Sequence, residues 1–150
     1  CYNMGNLKNP ATNNSILEIA ELEKYVGNLP SYPLPLDLAL PLFDWKVLFR
    51  DNVYHGLLQN MDDGFLNGSS SKKDNRFIFL NDTSINGYSF KKNDVLRNEQ
   101  SKYTEIIQAA SLISKRLKNT RLTLSLYHLD SLILKKYKVN ELENIYSSMY

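Results

Sequence analysis

The chain is poor in the residues that metal sites and disulfide frameworks need. Its 150 residues hold one cysteine, which excludes an internal disulfide framework and any multi-thiolate metal site. The two histidines, His55 and His128, stand far apart with no ligand spacing around them. Charge is nearly balanced: 18 Lys and Arg against 16 Asp and Glu leave a net +2. The lysines are scattered among acids, which argues against nucleic acid or an anionic membrane surface as partner. No apolar run reaches the roughly 18 residues of a membrane span. A nucleophile elbow, a P-loop, a dinucleotide fingerprint and a zinc-binding helix are all missing, so neither a metal nor a cofactor is implied.

What is present is one domain's length of chain, with an ordinary 43% hydrophobic content. Ser15 to Gly27 reads as a helix, with Ser15 and Glu18 at capping-box spacing, an apolar face of Ile16, Ile19, Ala20 and Val26, and Gly27 as a left-handed stop. LDLALPLF (36–43) is short, nearly all apolar and without helical period, as in a parallel strand covered on both faces. Pro41 marks its end or a bulge. From about 46 to 98 the pattern turns antiparallel. KVLFR and VYHGLL flank an Asp51-Asn52 hairpin turn. DDGFLNGSSSKKDN reads as a polar loop, and RFIFL and GYSF as antiparallel strands around NDTSIN. Ser101 to Lys118 is a second helix, with Tyr103, Ile106, Ile107, Ala110, Ile113 and Leu117 on one stripe. RLTLSLYHLD (121–130) is a second candidate parallel strand. Asp130 or Ser131 opens a further helix, and Asn140 with Glu143 has capping-box spacing before a terminal one.

Cys1 has three readings. It is the truncated end of a strand at 1–4, the lipid-bearing first residue of a lipoprotein, or an engineered start. Lipoproteins usually open on a polar tether, whereas Tyr2 and Met4 follow Cys1 directly, which favours the truncated strand. The series is then strand, helix, buried strand, β-excursion, helix, buried strand, helix. Such a series demands a parallel sheet with right-handed crossovers. Three parallel strands leave both outer edges unpaired. An additional N-terminal part would complete either a closed barrel or an open doubly wound sheet.

The stretches CYNMGNLKNPATNNSIL, YPLPLDLALPLFDWKVLFRD and LTLSLYHLDSL resemble the C-terminal part of an uncharacterised bacterial family of TIM-barrel-like proteins, common in Bacteroidetes and often predicted lipoproteins. The resemblance implies that residues 1–150 are the last three strand–helix units of a (βα)8-like barrel, with parallel strands and an antiparallel insertion after the middle one. More distantly, Tyr2 and Asn3 are similar to the end of the Met-x-Tyr-Asp/Asn motif on the sixth strand of family 18 glycoside hydrolases. The general acid of those enzymes lies on the fourth strand, outside this sequence. Their barrel tryptophan lies on the eighth strand, whereas Trp45 follows the seventh.

On the barrel reading, function belongs at the C-terminal strand ends and the loops after them. That selects Tyr2 and Asn3 as catalytic candidates, and Asp44, Trp45, Tyr127, His128 and Asp130 as substrate-binding candidates. An aromatic face with carboxylate, amide and imidazole groups suits sugar hydroxyls. Each residue has a plainer role open to it. Asp130 suits a helix cap, His128 a hydrogen-bonded rim histidine, Asp44 a turn cap, and Trp45 packing of the excursion. Asp37 reads as structural, His55 as exposed and idle, and Asp62 and Asp63 match no calcium-loop spacing. The expected function is carbohydrate binding or hydrolysis at the bacterial cell envelope, with the isolated 150 residues inert for want of the acid. The rivals are a non-catalytic surface-binding or scaffolding module, and an autonomous lipid-anchored α/β domain.

Overall fold

The computed structural model describes residues 3–117, 122–128 and 130–149. In chain order its elements are α1 (Ile19–Val26), β1 (Leu38–Pro41), β2 (Asp44–Arg50), β3 (Val53–Leu58), β4 (Ser70–Lys73), β5 (Arg76–Phe79), β6 (Thr83–Ile85), β7 (Tyr88–Phe90), β8 (Val95–Gln100), α2 (Tyr103–Ser114), β9 (Leu124–Tyr127), α3 (Ser131–Leu134) and α4 (Val139–Ser147). Short 3₁₀ turns lie at Leu29–Ser31 and Asp63–Leu66. Two compact units result, one from residues 1–5, 15–43 and 101–150, the other from 6–14 and 44–100. The fold is mixed α/β, and the described residues form no closed barrel.

In the first unit β1 and β9 pair in parallel, Leu38 with Leu124, Ala39 with Ser125, Leu40 with Leu126 and Pro41 with Tyr127. Leu38, Leu40, Leu124 and Leu126 are buried, while Ala39, Ser125 and Tyr127 are exposed. The apolar run of 36–43 predicts cover on both faces; the structure covers one face throughout and the other only at the end, where Pro41 and Phe43 are buried. Fully burying each leucine contributes about 1.5–3 kcal/mol, so the packed face carries the strand. Asp37 accepts the Thr123 N–H at 2.8 Å and ties the starts of the two strands together, a structural role as expected. Helix α2 packs on α1, on α4 and on β1, burying Ile106, Ala109, Ala110 and Ile113.

Local expectations in this unit need correction at the ends. The first helix begins at Ile19, with no side-chain cap at Glu18. Ser15 is buried, and its carbonyl accepts the Gly5 N–H at 3.2 Å. Gly27 stays right-handed (φ −54°) because the chain runs on through Asn28 into the 3₁₀ turn. The terminal helix is capped two residues earlier than expected, with the Glu141 carboxylate accepting the Lys138 N–H at 2.8 Å. Of the expected strand at 1–4, Asn3 and Met4 are irregular, and Cys1 and Tyr2 lie outside the described residues.

In the second unit five strands run β3-β2-β8-β5-β4, all antiparallel, beside the β6–β7 hairpin. The excursion is thus a sheet, as expected, reaching slightly beyond 46–98. Asp51 (φ 52°) and Asn52 (φ 61°) form the β2–β3 turn, whose two left-handed positions match the strand twist. Asn86 (φ 50°) and Gly87 (φ 81°) do the same between β6 and β7. Leu48, Leu58, Met61, Leu66, Phe77, Phe79, Phe90 and Leu96 make the core, with Phe79 and Phe90 stacked at 4.2 Å. Two readings change. The polar loop 62–75 contains β4, and RFIFL pairs with β4 and β8 while GYSF pairs with β6.

Candidate functional site

Within the first unit the candidate residues gather where β9 ends. Pro41 closes β1 opposite Tyr127, and the Leu42 N–H donates to the Tyr127 carbonyl. Past Pro41, Leu42 and Phe43 stay buried, while Tyr127 and His128 are exposed. Tyr127 is 52% exposed, with the Phe43 ring edge-on to it at 6.2 Å and the His128 ring tilted beside it at 5.4 Å. His128 Nε2 lies 4.0 Å from Asp130 Oδ2. Asp130 Oδ1 accepts the Leu132 N–H at 2.6 Å, which makes Asp130 the N-cap of α3. The Tyr127–His128–Asp130 cluster therefore offers one half-open aromatic ring, one imidazole and one carboxylate with a single oxygen to spare.

Asn3 is placed elsewhere. It lines an apolar cavity of about 440 Å³ with Met4, Leu22, Tyr25, Val26 and the residues at the start of β1, Leu36 to Leu38. Those residues are at the opposite end of the strand from Pro41 and its partner Tyr127. Tyr2, the other catalytic candidate, lies outside the described residues.

In the second unit Asp44 and Trp45 begin β2 and pair with Gln100 and Glu99. Trp45 is 8% exposed and donates its indole N–H to Glu99 Oε2 at 2.8 Å. Neither face of the ring is open as a sugar platform. Glu99 Oε1 receives Arg97 Nε at 2.6 Å, both side chains being fully buried. Arg97 also lies over the Phe49 ring, 4.8 Å from its centroid. Burial lowers the Arg97 guanidinium below its ordinary value, and the Glu99 charge works against that.

Sequence reasoning passed over this Trp45–Glu99–Arg97 network. A signal existed, since Arg97 and Glu99 are two apart on a strand and so share one face. Opposite charges at that spacing in VLRNEQ mark a pair that neutralises itself when covered.

Asp63, whose spacing with Asp62 matches no calcium loop, sits between Lys46 Nζ at 2.8 Å and Lys72 Nζ at 3.3 Å. Burial alone would raise the Asp63 carboxyl, and the two ammonium groups outweigh it and hold it low. Asp62 caps the 3₁₀ turn through the Gly64 N–H at 2.6 Å. His55 is exposed but not idle, its Nε2 lying 3.3 Å from Arg50 Nη1. Among the described residues no group of three His, Cys, Asp or Glu side chains could hold a metal ion, and no helix is long and apolar enough to cross a membrane.

Neither a family model, nor a curated protein, nor a solved structure matches this chain.

Proposed function

We propose that the chain is the C-terminal part of a (βα)8-like barrel that recognises carbohydrate at the bacterial cell envelope, and that these residues alone bind sugar without hydrolysing it. The observation that carries the reading is the half-open Tyr127 ring at the C-terminal end of a parallel strand, with His128 and Asp130 beside it. An aromatic face flanked by hydrogen-bonding groups is the arrangement that sugar rings and their hydroxyls select. The barrel part of the reading draws support from the parallel β1–β9 pair, which has helix α2 between its strands in sequence. The exposed face carries the small side chains Ala39 and Ser125. In a barrel such a face looks inward, and further parallel strands supplied by an N-terminal part of the same chain would cover the outer edges. The envelope location rests on the family resemblance alone.

Asp130 suits a recognition role: Oδ1 is engaged by the Leu132 N–H as the cap of α3, and Oδ2 faces His128. Titration of residues 1–150 with cello-, xylo- and chito-oligosaccharides, followed by amide shifts in NMR, tests the reading. The expected result is saturable shifts at Tyr127 and His128 with at least one sugar, weakened about tenfold by Tyr127→Ala through loss of the stacked ring. No shift with any of the three series, or binding indifferent to Tyr127→Ala, would end it.

A further inference from the structure

Residues 6–14 are a loop between Gly5 and helix α1, yet several of their hydrogen bonds are to side chains some 60 to 90 positions away. The loop folds on itself first. The Asn6 and Asn9 side chains accept the N–H groups of Lys8 and Ala11 at 3.1 and 2.9 Å, and their carbonyls accept those of Asn9 and Thr12. These turns engage the N–H groups of Lys8, Asn9, Ala11 and Thr12. The inserted sheet supplies donors to the loop's carbonyls. Arg97 Nη1 and Nη2 donate to the carbonyls of Asn9 and Leu7 at 2.7 and 2.9 Å. Arg76 Nη2 donates to those of Pro10 and Thr12, both at 3.1 Å, and its Nη1 to Asn13 Oδ1 at 3.2 Å. Asn75 Nδ2 reaches the Asn13 carbonyl at 2.7 Å. Arg76 and Arg97 are register partners on adjacent strands β5 and β8, so their two planar forks stand side by side and span the loop.

We propose that Arg76 and Arg97 are positioning residues that make loop 6–14 part of the inserted sheet, so that the loop orders with residues 44–100 and not with the helix that follows it in sequence. The sequence hides this, because the loop's own residues are the polar, turn-forming ones that suit any surface loop. What distinguishes it is that charged donors engage mostly its main chain, with Asn13 Oδ1 the side-chain acceptor among them. The dependence therefore falls first on the arginines. This inference stands independently of the carbohydrate reading.

Arg76 is the residue to change, because Arg97 also neutralises buried Glu99 and its loss endangers the whole unit. Hydrogen exchange read by mass spectrometry on the 150-residue chain compares the parent with Arg76→Met and Arg76→Lys. In Arg76→Met, exchange across residues 6–14 accelerates about tenfold or more, while the amides of β2 and α1 keep their rates. Arg76→Lys, which reaches one carbonyl where the fork reaches two, falls between the two. Asn75→Ala gives the same local signature to a smaller degree, and it carries the test should Arg76→Met fail to fold. The proposal is overturned if the loop exchanges at the parent's rate in these variants. It is equally overturned if its acceleration is shared by α1, or if β2 accelerates with it.

Discussion

The inserted sheet and the parallel pair meet the same requirement, a strand with a covered apolar face, in opposite ways. The sheet unit combines tight hairpins at Asp51-Asn52 and Asn86-Gly87 with a longer-range β2–β8 ladder, whose partners lie 46 to 56 positions apart. Its central strand β8 is paired on both sides, and the buried Arg97–Glu99 ion pair has every charge engaged. The β1–β9 pair joins residues some 86 positions apart, leaves one face open, and has no strand on either outer edge among the described residues. A five-stranded sheet with its own buried core carries its own stability. A long-range parallel pair with an open face depends on whatever else lies against it.

Three substitutions sharpen that contrast. The largest effect belongs to Arg97→Met, which strands Glu99 as a buried, unneutralised charge. It should cost about 3–5 kcal/mol, read as a lower denaturant midpoint for the sheet unit. An unchanged midpoint would mean that the network holds nothing together.

Next comes Asp94, a buried carboxylate that receives Arg50 Nε and Nη2 at 2.9 and 2.7 Å and the Lys91 N–H at 2.8 Å. Burial pushes this carboxyl up, but its donors outweigh that and hold it below the ordinary aspartate value. A depressed folded-state value means that the stabilisation is present above about pH 4 and is lost as pH falls through the lower folded value. Asp94→Asn should cost about 1–3 kcal/mol at neutral pH and flatten the acid side of the stability profile. An unaltered slope below pH 4 would refute the assignment.

The smallest effect is in the parallel unit. Asp130→Ala removes the cap of α3 and should cost about 1 kcal/mol, seen as faster amide exchange in Ser131–Leu134. It should leave the sheet untouched, and a shift in the sheet's transition would argue against treating the two units apart.

The same contrast explains what could be read in advance. The β2–β3 hairpin was legible because its turn residues and its alternation are adjacent in the chain. Strand β4 was not, because Ser70 to Lys73 is a polar edge strand carrying Lys72 and Lys73. Edges that resist aggregation carry such residues, and no apolar period betrays them. The apolar run at 36–43 announced a strand correctly. How many of its faces would be covered depends on partners that the run itself does not encode. Capping boxes were misplaced at both ends of the chain, since Ser15 is drawn into the interior and the terminal helix starts before Asn140. For the candidate site, Asp130's service as a cap followed from its place before an apolar helical stretch. Trp45 read as a surface platform only because its partner Glu99 lies 54 residues on.

One small contact has a wider reach. The Ser101 N–H meets the Phe43 carbonyl at 3.0 Å, so the main chain departs for the sheet and comes back at nearly the same point. A gap that narrow can be bridged by a two- or three-residue turn, on the order of 10 Å of chain. Residues 44–100 are in this respect a cassette, apart from the loop 6–14 that Arg76 and Arg97 hold. Lineages could acquire, trade or discard them by a single genetic event, without stretching the strand before or the helix after.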